Sequence, residues 1–137
     1  MMQEAAKNSK PGRILVVEDN SDSRDLLAKL LGMSGYEVLS APDGESGYAA
    51  ALKQLPDLII TDINMPRMDG IALLRKVRRE TPLDKTAVFV VTAFGREAAR
   101  EAIEAGADAA TAKPFDFEAF VETVDNLIFA RQKLVGG

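Results

Sequence analysis

The amino-acid sequence predicts an α/β fold built on a five-stranded parallel sheet. Five short apolar segments alternate with five segments whose apolar residues recur at helical spacing, which is the order expected when each strand is followed by a helix. The first, third and fourth apolar segments (RILVV, DLIIT and TAVFVV) are nearly continuous rather than alternating. Continuous apolar strands are typical of a parallel sheet that helices cover on both faces.

The predicted strands are residues 13–17, 36–40, 57–61, 86–91 and 108–112. Four leucines at helical spacing mark the first helix, with Ser21 as its expected N-cap and Gly35 beyond its end. Asp43 and Gly44 open the second helix, which runs to about Gln54, and the next two are expected over residues 71–80 and 96–105. The last helix has one apolar face, formed by Phe117, Phe120, Val121, Val124, Leu127 and Ile128.

The length and composition limit the class of protein. A chain of 137 residues with 47% hydrophobic and 28% charged residues suits one globular domain. We expect that domain over residues 12–134, after a flexible lead-in of residues 1–11 and before a tail of residues 135–137. No apolar run is long enough to span a membrane, and the N-terminus lacks the apolar stretch of a secretory signal, so the cytoplasm is the expected compartment.

The absence of two residue types excludes several kinds of chemistry. The chain has no cysteine and no histidine, which excludes disulfides, zinc–thiolate sites, Ser–His triads and histidine acid–base catalysis. The net charge of −4 argues against a nucleic-acid surface, which is normally basic. Carboxylates, hydroxyls and lysines remain for chemistry, together with hard cations.

Polar residues stand where the predicted strands end. Five βα units commonly take the sheet order 2-1-3-4-5 and bind ligands beyond the carboxyl ends of the strands, where the winding reverses between strands one and three; we adopt the order from that rule. The residues at these ends are Glu18, Asp19, Asp62, Thr92, Lys113 and Pro114. We expect all of them at one rim of the sheet.

Three carboxylates at one rim need a counter-charge. A like-charge pair about 4 Å apart costs ~1 to ~4 kcal/mol, depending on the polarity around it. Lys113 supplies one positive charge, and a hard divalent cation would supply more. A set of oxygen ligands suits Mg²⁺, which keeps some water and accepts one or two carboxylates together with phosphate oxygens.

Each of these residues also has a plainer interpretation. Asp19 and Asn20 suit helix caps, Asp62 suits a turn, Thr92 is an ordinary strand residue and Lys113 an ordinary solvated lysine. Taken one at a time, these interpretations are the better ones. Taken together, they require a coincidence at four strand ends in the required order.

The pattern resembles the receiver domain of two-component response regulators over residues 13–131. The segments that carry the resemblance are ILVVEDN, DLIITDINMPRMDG, VVTAF and GADAATAKPF. The resemblance implies a flavodoxin-like three-layer sandwich that takes a phosphoryl group from the phosphohistidine of a sensor histidine kinase or a histidine phosphotransfer protein. Such a switch signals to a downstream protein by conformational change or onward transfer, and it catalyses only its own phosphorylation and dephosphorylation.

The resemblance also implies a role for each residue at the rim. Asp62 accepts the phosphoryl group, Thr92 donates a hydrogen bond to the phosphoryl oxygens, and Lys113 pairs with the phosphoryl group and the acids. The peptide bond between Lys113 and Pro114 is expected to be cis, a form largely confined to proline. Because the chain has no histidine, the phosphohistidine must lie on another molecule.

The metal ligands follow from the same resemblance. Asp19 and Asp62 are expected to coordinate Mg²⁺ directly, together with the main-chain carbonyl of Asn64. Glu18 is expected to act through a metal-bound water.

Two positions depart from the family pattern. Ala110 stands three residues before the lysine, where most members have Tyr or Phe, whose rotation reports phosphorylation. Phe94 stands two residues after the threonine, where polar residues are common. We expect the ring of Phe94 to fill the space that the missing aromatic leaves, to carry the signal in its place and to slow hydrolysis of the phosphorylated state.

Two other functions remain open from sequence. A phosphatase of the haloacid dehalogenase type needs an Asp nucleophile and a second Asp two residues later after strand one, whereas EDNSD stands there and Asn64 is two residues after Asp62. A flavodoxin needs a hydroxyl-rich loop after strand one and aromatic residues beside the flavin, whereas this loop is acidic and the chain has two Tyr and no Trp. A phosphatase assay and an absorption spectrum separate these alternatives.

Overall fold

The computed structural model describes residues 12–65 and 68–136, and it confirms the alternation of strands and helices. The strands are β1 (Arg13–Val17), β2 (Glu37–Ala41), β3 (Leu58–Asp62), β4 (Ala87–Thr92) and β5 (Ala109–Ala112). The helices are α1 (Ser21–Met33), α2 (Gly44–Gln54), α3 (Gly70–Arg79), α4 (Gly95–Glu104) and α5 (Phe117–Gly136), with a short 3₁₀ turn at Thr81–Leu83. The predicted lead-in of residues 1–11 lies outside the described residues.

The five strands form one parallel sheet in the order β2-β1-β3-β4-β5, which confirms the predicted topology. Nearly every residue of β1, β3 and β4 is buried, whereas β2 and β5, at the two edges, are mostly half-buried or exposed. The three continuous apolar segments of the sequence are therefore the three central strands, which need apolar side chains on both faces.

Two apolar layers join the sheet to its helices. Successive side chains of a strand point to opposite faces, so Leu15 and Val17 belong to one layer and Ile14 and Val16 to the other. The first layer continues into α2, α3 and α4 and the second into α1 and α5, through buried residues that include Ala51, Leu73, Ala102, Leu31 and Phe120. This gives the predicted three-layer sandwich.

Several boundaries differ from the predicted ones by one residue. β2, β3, β4 and β5 begin one residue later than predicted, while α3 and α4 begin and end one residue earlier. β3 and β4 consequently run through Asp62 and Thr92, because the backbone ladder continues to these residues whatever the polarity of their side chains. The first helix is capped by Asn20 and not by Ser21: Asn20 has an extended backbone, and its side chain accepts a hydrogen bond from the Ser23 amide.

The last helix continues into the predicted tail. The predicted tail of residues 135–137 is helical through Gly136, because no residue before that glycine ends the helix. Although α5 has 20 residues, neither it nor any other helix in the described part of the chain is long and apolar enough to cross a membrane.

The Tyr36 hydroxyl joins the start of β2 to α5 by donating a hydrogen bond to the Asp125 carboxylate. Tyr36→Phe is expected to lower the free energy of unfolding by about 1–2 kcal/mol, because a mostly buried hydrogen bond to a charged acceptor is lost. Burial, the hydrogen bond and the charge of Asp125 raise the pKa of Tyr36 above its ordinary value of 10.0. The difference between the two proteins should therefore be constant at neutral pH and shrink as the pH rises above that ordinary value, where the unfolded tyrosine ionises first.

Urea denaturation of wild type and Tyr36→Phe at neutral and alkaline pH measures this effect. Equal stabilities at neutral pH would contradict a stabilising role for the bond.

Candidate functional site

Four strands end at the same rim and bring the predicted residues together. Asp62 is the last residue of β3 and Thr92 the last residue of β4, while Glu18 and Lys113 directly follow β1 and β5. Parallel ladders connect β1 to β3, β3 to β4 and β4 to β5, so these ends lie side by side. The rim includes the junction between β1 and β3, where the winding of the sheet reverses.

Lys113 lies between two acids from different strands. Its Nζ is 3.0 Å from Oδ2 of Asp62 and 3.2 Å from Oε1 of Glu18. The side chains of Glu18 and Asp62 are only 5% and 11% exposed, and that of Lys113 is 33% exposed. Removal of two carboxylates from water is costly unless a counter-charge is close, and the ammonium group supplies it.

Burial has the largest effect on the pKa of Glu18. Burial raises the pKa of Glu18 above its ordinary value of 4.5; the Asn20 amide, which donates to Oε2 at 3.2 Å, lowers it. Among the remaining causes, a hydrogen bond with Asp19 and the charge of Asp62 raise the pKa, whereas the charge of Lys113 lowers it. The net result is a pKa above the ordinary value. A raised carboxyl pKa means that further positive charge would be favourable here.

At Lys113 the interactions with the acids have a larger effect on the pKa than burial has. Burial alone would lower the pKa of Lys113, but hydrogen bonding and attraction to Asp62, and then to Glu18, outweigh it and raise the pKa above 10.5. The main chain holds the same residue, because its amide donates to the carbonyl of Thr92 at 2.7 Å. The bond from Lys113 to Pro114 is cis, as the resemblance implies.

Two further residues turn polar groups toward the rim. The Asn64 amide donates to Oδ1 of Asp62 at 3.1 Å, so the chain after β3 folds back over that carboxylate. Thr92 is fully buried, and its Oγ1 accepts a hydrogen bond from the Phe94 amide at 3.0 Å. Because this hydroxyl accepts from the main chain, its own hydrogen can be donated to a ligand.

The oxygens at the rim suit a hard cation. The candidate ligands are the carboxylates of Asp19 and Asp62 and the main-chain carbonyl of Asn64; Asp19 is exposed, and it lies close enough to Glu18 to affect the pKa of that residue. Across residues 12–65 and 68–136, no three side chains of the Asp, Glu, His and Cys types form a metal cage by themselves. The donor chemistry fits Mg²⁺, which typically takes one or two carboxylates and completes its shell with other oxygens and water.

The structure contradicts the expectation that Phe94 fills the space beside Ala110. Ala110 is half-buried on the face of the sheet that α2, α3 and α4 cover, and Phe94 is not among the apolar residues packed in that layer. Phe94 is instead 61% exposed. The reason is local: the Phe94 amide is held by Thr92, and Gly95 follows with a φ of +84°, so that the chain turns into α4 with the ring directed outward.

One residue that contacts the rim, Arg24, is not among the site residues predicted from the sequence. Arg24, in the first turns of α1, donates from Nη1 to the main-chain carbonyl of Glu18 at 2.9 Å. This contact ties the helix back to the acidic loop that precedes it. An arginine six residues after the acid is the only signal in the sequence, and that spacing does not by itself distinguish this contact from a solvated side chain.

The chain matches the family model of the response regulator receiver domain over residues 14–125. It is 40% identical over 108 residues to a Rhizobium etli relative named "Probable chemotaxis protein CheY", covering 77% of this chain and 84% of that protein. It is 35% identical over 117 residues to the "DNA-binding dual master transcriptional regulator RpaA" of Synechocystis sp., covering 85% of this chain but only 48% of the relative. The chain therefore spans about half the length of that regulator.

The solved structures agree. A response regulator receiver domain protein from Clostridium thermocellum superposes with a TM-score of 0.81 at 31% identity, covering 90% of this chain and 98% of that one. The matched residues run from β1 into α5 and include all four strand ends of the rim. This match sets aside the phosphatase and flavodoxin alternatives. The chain belongs to the response regulator receiver domain family, the signalling switches of two-component systems.

Proposed function

We propose that Asp62 is the phosphoacceptor of this receiver domain and takes its phosphoryl group from the phosphohistidine of a sensor histidine kinase or a histidine phosphotransfer protein. The observation that carries the proposal is the position of Lys113, with its Nζ 3.0 Å from Asp62 and 3.2 Å from Glu18. An acid held beside a lysine and a second buried acid, at the rim where this fold binds ligands, has the surroundings that phosphoryl transfer requires.

The transfer forms a bond between a carboxylate oxygen of Asp62 and phosphorus and breaks the bond from phosphorus to the donor imidazole, which leaves with the electron pair. Phosphoryl transfer depends mainly on positioning and charge neutralisation. Lys113 neutralises charge on Asp62 and the phosphoryl oxygens, and the Thr92 hydroxyl donates a hydrogen bond to one of those oxygens. Lys113 already contacts Asp62, so that contact needs little reorganisation at the moment of transfer.

We include Mg²⁺ in the proposal, held by Asp19, Asp62 and the main-chain carbonyl of Asn64, with Glu18 acting through a metal-bound water. When bound, the cation supplies positive charge to the phosphoryl oxygens. The raised pKa of Glu18 supports a need for such charge, because burial, its largest cause, disfavours the charged carboxylate unless positive charge lies close to it.

The proposed donor histidine belongs to another protein, since this chain has none. In this proposal the domain, over residues 12–134, catalyses only its own phosphorylation and dephosphorylation, and it passes the signal to a downstream protein. The relatives have names that point to different outputs, chemotaxis in one and DNA-binding regulation in the other. The receiver chemistry proposed here is compatible with either output.

Incubation of the wild-type protein with acetyl phosphate and Mg²⁺ tests the proposal directly. Intact-mass spectrometry should show the addition of one phosphoryl group, and a chelator should prevent it. Absence of the added mass when Mg²⁺ is present would contradict the proposed chemistry.

Phe94→Ala is expected to shorten the lifetime of the phosphorylated state, because the exposed apolar ring restricts the approach of water at the rim. The substitution retains the main-chain amide that donates to Thr92, so it removes only the ring. Phosphorylated protein, freed of phosphodonor, can be followed by intact mass over time. A lifetime equal to that of wild type would exclude the ring from control of hydrolysis.

Ala110→Tyr serves as the matched substitution on β5. Ala110 is half-buried on the edge strand β5, on the face of the sheet that α4 covers, so we expect the variant to fold with its ring at the sheet edge and to accept the phosphoryl group. Crystal structures of wild type with and without beryllofluoride show whether Phe94 and its loop move. If they superimpose, Phe94 is not the element that carries the signal.

A further inference from the structure

Two glycines lie against the main chain of the loop that follows β3. Gly44 begins α2, and a Cβ atom placed on it would lie 2.3 Å from the carbonyl oxygen of Met68. Gly70 begins α3, and a Cβ atom placed on it would lie 2.2 Å from the carbonyl oxygen of Asp62. Atoms that are not bonded cannot approach so closely, so any other residue at either position must move the main chain.

The described parts of this loop also carry oxygens of the proposed site. At its start, the Asn64 amide donates to the Asp62 carboxylate at 3.1 Å. At its end, the Gly70 amide donates to the carbonyl of Ile63 at 2.8 Å. The end of the loop, two residues after Met68, is thus tied to the residue that follows Asp62, and we expect a main-chain shift at Met68 to reach Asp62 through Gly70.

Gly44 differs from Gly70 because it reaches the loop from another helix. One turn later in α2, Gly47 is also buried, but a Cβ atom on it would meet side-chain atoms of Val17, the nearest at 2.8 Å. The same helix thus contacts the core through Gly47 and the loop through Gly44. Only the second contact involves the main chain that leads to the proposed site.

We propose that Gly44 is a positioning residue for Mg²⁺ at the proposed phosphoryl site. Its lack of a side chain lets the main chain of Met68 pack directly against α2, and this contact holds the loop so that the Asn64 carbonyl and the Asp62 carboxylate are available to one cation. This role depends on the function proposed above for Asp62.

Gly44 does not itself reach the cation or the phosphoryl group, so its effect is on affinity for Mg²⁺ and not on the chemical step. Alanine at this position must displace a main-chain carbonyl, because no flexible side-chain end is available to move aside. Residues that hold metal ligands in place from outside commonly change metal affinity by about 10–100-fold when they are substituted.

Gly44→Ala and Gly47→Ala form a matched pair, because both add one methyl group to α2. The first meets the main chain of Met68 and the second meets the side chain of Val17. Mg²⁺ binding to the unphosphorylated protein is measured by calorimetry, and the Mg²⁺ dependence of phosphorylation by acetyl phosphate is measured by intact mass. We expect Gly44→Ala to raise the half-saturating Mg²⁺ concentration by about tenfold, with a rate near that of wild type at saturating Mg²⁺. Gly47→Ala should lower the melting temperature but leave the half-saturating concentration unchanged.

Gly32→Ala, whose added Cβ meets nothing within 4 Å, controls for alanine in a helix. A wild-type half-saturating concentration in Gly44→Ala, or an equal increase in Gly47→Ala, would overturn the role of Gly44. If Gly44→Ala does not fold, Met68→Gly replaces it, because it removes the Met68 Cβ atom that lies beside Gly44 and frees the main chain at residue 68 without adding an atom. The proposal then requires that variant to bind Mg²⁺ more weakly. A wild-type protein that neither binds Mg²⁺ nor gains a phosphoryl group would overturn both this role and the proposed function, a result distinct from the others.

Discussion

Asp62→Asn is expected to abolish phosphoryl incorporation from acetyl phosphate while the protein remains folded. An amide oxygen is a poor nucleophile compared with a carboxylate, but asparagine keeps the shape of the side chain and can still accept the hydrogen bond of the Asn64 amide or of Lys113. Loss of the added mass together with an unchanged circular dichroism spectrum would therefore locate the acceptor and not merely report unfolding.

Asp69→Asn is the matched control for that experiment. Asp69 lies in the same loop, but its carboxylate caps α3 by accepting the Ala72 amide at 2.8 Å. Asparagine caps helices about as well as aspartate, so this variant should incorporate one phosphoryl group as wild type does. Undiminished incorporation in Asp62→Asn, or incorporation that a chelator does not affect, would disprove the assignment.

Lys113→Met should produce the largest loss of stability of any substitution at the rim. Methionine keeps the apolar bulk of the lysine stem but removes the charge that lies within 3.2 Å of both Glu18 and Asp62. Removal of one partner from a buried ion pair costs about 3–5 kcal/mol, and because Lys113 is 33% exposed and screened by water we expect about 2 kcal/mol in metal-free buffer. Urea denaturation in the presence of a chelator measures the difference.

The sign of the pH dependence follows from the acids that the lysine leaves behind. Burial already raises the pKa of Glu18 above 4.5, and loss of Lys113 removes an interaction that lowers it. Stability of the variant should thus be retained below the ordinary carboxyl pKa and be lost as the pH rises through the raised folded value. A variant as stable as wild type at neutral pH would show that the lysine does not offset the acids.

In metal-free buffer, Asp62→Asn is expected to stabilise the protein, whereas Lys113→Met is expected to destabilise it. Because one of the mutually repelling acids is neutralised, the melting temperature of Asp62→Asn should exceed that of wild type, by an amount worth on the order of 1 kcal/mol. Mg²⁺ should then stabilise wild type more than the variant, since the variant lacks one proposed ligand. A variant that melts below wild type in chelator would count against a repulsive acid cluster.

Much of the fold can be predicted from the sequence because the central strands are apolar on both faces. RILVV, DLIIT and TAVFVV have few other stable locations than the middle of a covered sheet, and their order along the chain then puts Glu18, Asp62 and Thr92 at one rim. The amphipathic spacing of α5 likewise predicts that Phe120, Val124 and Ile128 are buried together. These predictions depend on the spacing of apolar residues along the chain, which can be read directly from the sequence.

What only the tertiary structure decided depends on close approach between segments distant in the chain. Sequence patterns cannot show that Phe94 is exposed and does not fill the space beside Ala110, because a glycine conformation and one hydrogen bond to Thr92 determine the direction of the ring. They also cannot show that Arg24 holds the carbonyl of Glu18, or that Gly44 lies against the main chain of Met68. Such contacts depend on the exact position at which each helix packs against the sheet. Dense packing, not local residue preference, determines that position.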